Sequence, residues 1–483
     1  MICVPVMAST RETMLTQMNE AANDADILEL RLDHFPTATK ADVESLVRAR
    51  PKPIIATNRP RRQGGRCTLP EARRLETLMW AAKAGAEYAD LEYDCASKEL
   101  VESLLPSKAI ISYHDFDTTP KDLGKIISKI PALRGTIRKV ATMANDITDS
   151  IRMLKEIKRA RGDLIGICMG ERGEITRIVG PLVGSPITYG SSGQGNESAP
   201  GQIPARIMNE VYGVNTLRKE TKIYGLIGNP VAKSKGYLVH NEAFRAAKYN
   251  AVYVNLLVDR LGPFLDEATP MIEGFSVTMP FKEQIMEHLD QMDGDARKIG
   301  AVNTVVKKNG KLAGSNTDGA GALRALEKHT TVNGKRALVL GAGGSARAIV
   351  HALMKAGARV TIANRTEAKG RALAVEFGCE SIGPKEISSS QQDIVINTTS
   401  VGMDPHLDES PAPRSFLKDM VVFDIIYSPP ITKLLNDARA NGCTIVTGEE
   451  MFLAQAALQS KLWTGKEPNM DAMEEALKRG IEA

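Results

Sequence analysis

Six cysteines lie scattered through 483 residues, at positions 3, 67, 95, 168, 379 and 443, and none forms a CxxC pair or has histidine partners at metal-ligand spacing. Neither a structural zinc site nor a disulfide framework is expected; a reducing compartment is. Nothing apolar approaches the roughly 20 residues of a membrane span. Charge of one sign is not in excess: 62 basic against 58 acidic residues leave +4, too even for a nucleic-acid binder. Met1 leads directly into "ICVPVMA", with no basic n-region and no Arg/Ser-rich leader. Internal repeats and low-complexity tracts are also absent. What remains is ordinary globular composition, 43% hydrophobic and 25% charged, at a length suited to two or three domains.

The first 215 residues alternate short apolar runs with longer amphipathic stretches. The runs are "ICVPVMA", "DILELRLD", "PIIATNR", "YADLEYD", "KAIISYHDF", "GTIRKVAT", "LIGICMG" and "PITYGS"; helices are expected near 11–22, 70–85 and 146–161. Parallel strands need crossovers of a dozen or more residues, so this beat implies β/α units, and eight of them close a (β/α)8 barrel. In such barrels the active site lies at the C-terminal ends of the strands. Glu29, Arg31, Arg59, His114 and Lys139 fall there. A lysine can attack a ketone to form an imine, a histidine one strand earlier can move protons beside it, and arginines can hold a carboxylate.

"ELRLDHF", "ATNRPRRQGG", "SYHDF", "IRKVAT", "MGERGEITRIVG" and "SAPGQI" together resemble type I 3-dehydroquinate dehydratases over residues 1 to about 210. The resemblance implies that Lys139 forms a Schiff base with the substrate ketone. It casts His114 as the group that removes the C2 proton and helps expel the C1 hydroxyl as water. Glu29, Arg31, Arg59, Arg177, Ser198 and Gln202 would bind carboxylate and hydroxyls. Gln63 departs from the pattern, since the family usually has Glu there, which bears on the basicity and orientation of His114.

A polar connector, "NTLRKETK" at 215–222, precedes a new β/α group at "KIYGLIGNP" and a further one at "KRALVLGAGGSARAIV". Strand, glycine turn and helix in "RALVLGAGGSARA" fit a dinucleotide fingerprint. Gly341 makes the turn, Gly343 lets backbone approach a pyrophosphate, and Ala346 takes the small third position. An NAD site wants an acid about 20 residues on; "VTIANRT" instead offers Asn364 and Arg365, with Lys369 a turn later, so NADP is favoured. Upstream, Lys282 and Asp318 form a pair able to exchange a proton with a carbonyl oxygen as a hydride arrives.

These segments, with "GFSVTMPFKE", "GAVNTV", "NTTSVGM", "DIIYSP" and "GEEMFLAQA", closely resemble shikimate dehydrogenases from 222 to about 475. The likeness makes Lys282 the acid/base, Asp318 its partner, and Ser234, Thr278, Asn303 and Gln455 substrate ligands. Ala342, Gly344, Ser345 and Thr366 join the dinucleotide site, and Ile425, Tyr427 and Gly448 line the nicotinamide pocket. In order, the two halves resemble the plant-type fusion of these enzymes. Expected boundaries are 1–214 for the barrel, 215–222 for a linker, 223–330 with 451–483 for a substrate-binding domain, and 331–450 for a Rossmann NADP-binding domain. Partners are small molecules (3-dehydroquinate, 3-dehydroshikimate, shikimate), with no nucleic acid and no membrane. The compartment is cytoplasm as written, or plastid stroma if a leader was removed.

One loop departs from the second pattern. "GNPVAKSKGYLVHN" (228–241) sets Lys233, Ser234 and Lys235 as donors for a small anion, yet has Gly236 where the family has a second serine. Quinate as the alcohol is therefore an alternative to shikimate. A regulator without turnover is disfavoured by the presence of His114, Lys139, Lys282 and Asp318 together.

Overall fold

Branched apolar runs become strands in the computed structural model, which describes residues 1–482. The first eight are β1 (Ile2–Val6), β2 (Ile27–Arg31), β3 (Ile54–Thr57), β4 (Tyr88–Glu92), β5 (Lys108–Asp115), β6 (Ile137–Met143), β7 (Leu164–Met169) and β8 (Thr188–Tyr189). They form one parallel sheet in the order β7-β6-β5-β4-β3-β2-β1-β8. The barrel is nearly closed: β8 has only two residues, and its register is with β1.

The expected helices occur as Arg11–Ala21, Glu71–Lys83 and Ile147–Arg159. The last starts at a capping box, Asp146 with Asp149, and buries Ile147, Ile151, Leu154 and Ile157 along one stripe. It presses so closely on β7 that a Cβ at Gly166 would sit 2.7 Å from Ile157 Cδ1.

Side chains alternate in and out along each strand, and the inward set is layered. A floor of Ile27, Ile55, Ile110, Ile137, Ile165 and Ile187 is fully or almost fully buried. Two residues further along the same strands stand Glu29, Thr57, Ser112, Lys139, Ile167 and Tyr189, joined by Asp90 of β4. The apolar floor folds the barrel; the polar layer above it is available for chemistry.

Two further sheets follow. One is six-stranded and mixed, in the order β10-β9-β11-β13-β14-β12, with β9 (Lys222–Gly228), β10 (Ala251–Leu257), β11 (Gly274–Val277), β12 (Gln291–Met292), β13 (Thr304–Lys308) and β14 (Lys311–Ser315). The other is parallel: β17-β16-β15-β18-β19-β20, formed by β15 (Arg336–Leu340), β16 (Arg359–Ala363), β17 (Glu380–Ile382), β18 (Ile394–Asn397), β19 (Val421–Asp424) and β20 (Thr444–Val446). Counted within this sheet the order is 3-2-1-4-5-6, the doubly wound dinucleotide-binding topology.

By contact the chain divides into two compact units. One holds Met1–Ile223, Pro230–Ala232 and Asn250–Ile272; the other holds Tyr224–Asn229, Lys233–Tyr249 and the chain from Glu273 on. Within the first, Asp259 receives both a 2.6 Å and a 2.7 Å bond from Arg172, and Arg260 pairs with Asp146 at 2.9 Å. All six cysteines are free. No helix among the described residues is long and apolar enough to cross a membrane.

Candidate active sites

The cavity at the C-terminal end of the barrel, about 530 Å³ including its open mouth, is lined by every residue expected there: Glu29, Arg31, Arg59, His114, Lys139, Arg177, Ser198 and Gln202. Glu29 and Lys139 lie mid-strand, third in β2 and third in β6, and are reached from above because the residues two further on, Arg31 and Ala141, are also inward. Lys139 Nζ lies 3.0 Å from the Tyr189 hydroxyl, 3.3 Å from Asp90 Oδ2 and 3.8 Å from Glu29 Oε1. Arg59, 4% exposed, pairs with Asp90 at 2.8 Å and Glu92 at 2.9 Å and donates to Ser112 Oγ at 2.7 Å. Ser112 in turn donates to Asp90 Oδ1 at 2.6 Å. Burial opposes ionisation of Asp90, but Arg59 and Lys139 overcome it and hold the carboxyl below the usual range. Removing either partner would strand a buried charge, a loss of about 3–5 kcal/mol.

His114 sits near the end of β5 with its ring 6.1 Å from that of Phe116, nearly parallel. Burial, then Arg59 and Lys139, lowers its pKa well below the ordinary imidazole value. Its Nδ1 is buried without a hydrogen-bond partner among the described residues. Gln63 accepts the His114 backbone N–H at 2.9 Å and does not bond the ring. The double glycine after it is steric: a Cβ at Gly65 would lie 2.0 Å from the Arg59 carbonyl oxygen. Arg177 donates to the Tyr189 and Pro200 carbonyls, its Nε has no partner among the described residues, and burial pushes its pKa down to about 10. Ser198 and Gln202 are tied together, Gln202 Nε2 donating to Ser198 Oγ at 3.0 Å and accepting the Ser198 N–H at 2.7 Å through its amide oxygen.

In the second unit, Lys282 on the short helix Phe281–Gln284 meets Asp318 Oδ2 at 2.5 Å. Asn303 donates to Asp318 Oδ1 at 2.7 Å and to Thr317 Oγ1 at 2.9 Å, fixing the carboxylate from its other side. Asp318 begins the helix Asp318–Glu327, where a Cβ at Gly321 would come 2.7 Å from that of Gln455. Thr278, half-buried, follows β11 and donates its N–H to Ile227. Gly236 is the first residue of the helix Gly236–Ala246, and its N–H donates to Ser234 Oγ at 3.3 Å. The two neighbouring lysines do not converge on Ser234: Lys235 donates to the Gly480 carbonyl at 3.0 Å, and exposed Lys233 pairs with Asp404 at 3.4 Å.

At the carboxyl end of β15, Gly341 has φ +119°, and a Cβ there would lie 2.4 Å from Thr398 Oγ1. This is the switch point between β15 and β18. The helix Gly344–Lys355 starts after Gly343, carrying Ser345 in its first turn, with fully buried Ala346 packing below. A Cβ at Gly343 or Gly344 would meet nothing within 4 Å, so space is open beside the backbone N–H groups there. At the end of β16, Asn364 donates to the Thr366 carbonyl, while Arg365 and Lys369 are exposed and make no ion pair among the described residues. Tyr427 stacks on Phe452 with centroids 5.0 Å apart. Ile425 donates its N–H to Asn397, and a Cβ at Gly448 would be 2.3 Å from the Ile426 carbonyl oxygen. An open glycine turn, a parallel switch point and these two exposed cations fit a phosphorylated dinucleotide.

Residues 2–219 match the type I 3-dehydroquinase family. Residues 226–305 match the shikimate dehydrogenase substrate binding domain, 324–441 the shikimate / quinate 5-dehydrogenase family, and 448–478 the shikimate 5'-dehydrogenase C-terminal domain. The bifunctional 3-dehydroquinate dehydratase/shikimate dehydrogenase, chloroplastic, of Arabidopsis thaliana is 36% identical over 96% of this chain and 82% of its own length. The chain belongs to the bifunctional 3-dehydroquinate dehydratase/shikimate dehydrogenase family. Its dehydrogenase part is 41% identical to shikimate dehydrogenase (NADP(+)) of Pyrococcus abyssi, over 52% of this chain and 96% of that protein. Among solved structures, shikimate 5-dehydrogenase from Thermus thermophilus in complex with NADP(H) and shikimate aligns with TM-score 0.51 and 35% identity, over 54% of this chain and 99% of that one. Quinate dehydrogenase from Corynebacterium glutamicum in complex with NAD aligns with TM-score 0.51 and 29% identity, over 54% and 99%.

In this bifunctional dehydratase/dehydrogenase, three polar groups around Lys139 escape a reading of strand ends: Asp90, Ser112 and Tyr189. Each is in phase with the inward set of its strand, which is the signal that would have found them. A further grouping of Glu71, Glu92 and Cys95 has metal-like proximity, but the Arg74 guanidinium stands among them, 2.6 Å from Glu71 and 2.7 Å from Glu92.

Proposed function

We propose that the barrel dehydrates 3-dehydroquinate to 3-dehydroshikimate through Lys139, and that the second part reduces this product to shikimate with NADPH. The observation that carries the reading is Lys139 Nζ in the cavity at the end of the barrel among Asp90, Glu29 and Tyr189, with His114 lining the same cavity. Lys139 attacks the substrate ketone. The resulting cationic imine draws electrons from C2, whose proton passes to His114; the C1 hydroxyl leaves as water with a proton returned by the same ring. Arg31, Arg59 and Arg177 supply positive charge for the carboxylate, and Glu29, Ser198 and Gln202 orient hydroxyls.

For the second reaction, Gly341 to Ala346 would hold the pyrophosphate, Asn364, Arg365, Thr366 and Lys369 the ribose 2′-phosphate, and Ile425, Tyr427 and Gly448 the nicotinamide. NADPH supplies the hydride when bound. Lys282 gives a proton to the carbonyl oxygen, and Asp318, held by Asn303, keeps the ammonium aimed. Ser234, Thr278, Asn303 and Gln455 bind the substrate. The domains run as 1–214, 215–222, 223–330 with 451–483, and 331–450. Free thiols and NADPH suit cytoplasm or plastid stroma.

Gly236 favours a second reading for the alcohol. Quinate carries a tetrahedral C1 with an added hydroxyl, whereas C1 of shikimate is flat, and glycine leaves out a side chain where a serine would bond the carboxylate. Quinate is then accepted alongside shikimate. The test is incubation with 3-dehydroquinate, with and without NADPH. Enone absorbance should grow without cofactor, and NADPH should be consumed when it is present; no absorbance change in either would overturn the reading.

A further inference from the structure

Imine formation poses a proton problem that the carboxylates nearest Lys139 leave open. A ketone and a lysine ammonium give a protonated imine and one water, and the step balances without any outside acid. Two of the three ammonium protons leave nitrogen, and both end on the departing ketone oxygen. Something must carry them across, in a cavity closed below by isoleucines. Three groups stand within 4 Å of Lys139 Nζ. Asp90 is an ionised acceptor, with Oδ2 shared with Arg59 and Oδ1 with the Ser112 hydroxyl. Glu29 is 3.8 Å away, beyond hydrogen-bond reach, and its Oε1 already accepts the Thr57 hydroxyl at 2.8 Å. Tyr189 is nearest at 3.0 Å, is 4% exposed and lines the cavity. Nζ is 4.1 Å from the ring centroid, so it lies beside the oxygen end of the ring and not over its centre.

We propose that Tyr189 is a further catalytic residue, whose hydroxyl relays protons between Lys139 Nζ and the substrate ketone oxygen during imine formation and release. The proposal rests on Lys139 being the imine lysine. A phenol suits the task because it both accepts and donates. Its oxygen takes an N–H proton as its own O–H proton passes to the ketone oxygen, and it ends as it began, a neutral phenol, after each of the two transfers. Burial raises the phenol pKa well above its usual value, so the group does not rest as phenolate. The Arg177 guanidinium holds the Tyr189 backbone carbonyl at 3.2 Å, anchoring the ring's position.

Tyr189→Phe keeps the ring and removes the relay. The full chain is mixed with 3-dehydroshikimate, quenched with borohydride at intervals, and the adduct at Lys139 is weighed by mass spectrometry. Adduct formation should slow by roughly 10²-fold, as expected for loss of an acid/base group, while its final extent and the NADPH-dependent reduction of 3-dehydroshikimate stay at the parent level. A rate within about threefold of the parent overturns the proposal, being far below that range, as does a loss of final extent with rate unchanged, the mark of a packing role. Absence of a Lys139 adduct in the parent removes the underlying reading and the relay with it; an adduct in both proteins at equal rate removes the relay alone. Should the variant fail to fold, the parent's adduct-forming rate in mixtures of light and heavy water decides: a curved dependence, with more than one proton in flight, supports the relay, and a linear one overturns it.

Discussion

His114 is aimed by its strand and tied through its main chain, not gripped by its ring. Gln63 takes the backbone N–H, and Nδ1 is left buried and unpaired among the described residues. The glutamine therefore performs a positioning task for which an amide oxygen suffices, and the dehydratase is expected to turn over despite the lost charge. Burial and the nearby cations lower the imidazole pKa, so the ring stays neutral, and able to accept the C2 proton, to a lower pH than usual. The acid limb of dehydratase kcat/KM should fall below about 6.5; a limb at or above that value in the parent, read by the growth of enone absorbance, would contradict it. Arg365 is exposed and outside any ion pair among the described residues, and in the proposed reading it binds the 2′-phosphate. Arg365→Ala should raise KM for NADP roughly 10- to 150-fold, the worth of a hydrogen bond to a charged group, and leave KM for NAD nearly unchanged. Equal loss with both cofactors would show that it does not read the phosphate.

At the scale of elements, the helix beginning at Gly236 carries the question of substrate choice. Its first N–H turns back to Ser234, while Lys235 is held by the Gly480 carbonyl and Lys233 pairs with Asp404, so neither lysine replaces the absent hydroxyl. Gly236→Ser should raise the ratio of shikimate to quinate specificity, measured as kcat/KM for each alcohol with NADP; an unchanged ratio would separate the glycine from substrate choice. That Lys235 points away was not legible locally, because its partner lies 245 residues on. The barrel strands were legible, since runs of isoleucine, valine and leucine between turn residues specify little else. Asp90, Ser112 and Tyr189 were not: a polar residue in an apolar run reads as a strand boundary until the inward phase of the whole strand is counted. The glycine turn after β15 was legible as a turn, because Gly341 needs its positive φ and Ala346 its small volume.

At the scale of the whole molecule, the product of one site is the substrate of the other, and joining them in one chain raises the effective concentration of the second site near the first. In the reading proposed above, the two chemistries use separate lysines. Lys139 sits in a balanced cluster of buried charge, and Lys282 is paired to Asp318 in a different unit. Each reaction should thus be lost without the other. The most direct test is Lys139→Ala, assayed by enone growth with 3-dehydroquinate in the absence of cofactor and by NADPH oxidation with 3-dehydroshikimate. Expected are no enone from the first substrate, parent-level oxidation with the second, and no borohydride adduct at position 139. Enone growth from 3-dehydroquinate at the parent rate, or loss of both activities in a variant that remains folded, would contradict the role given to Lys139.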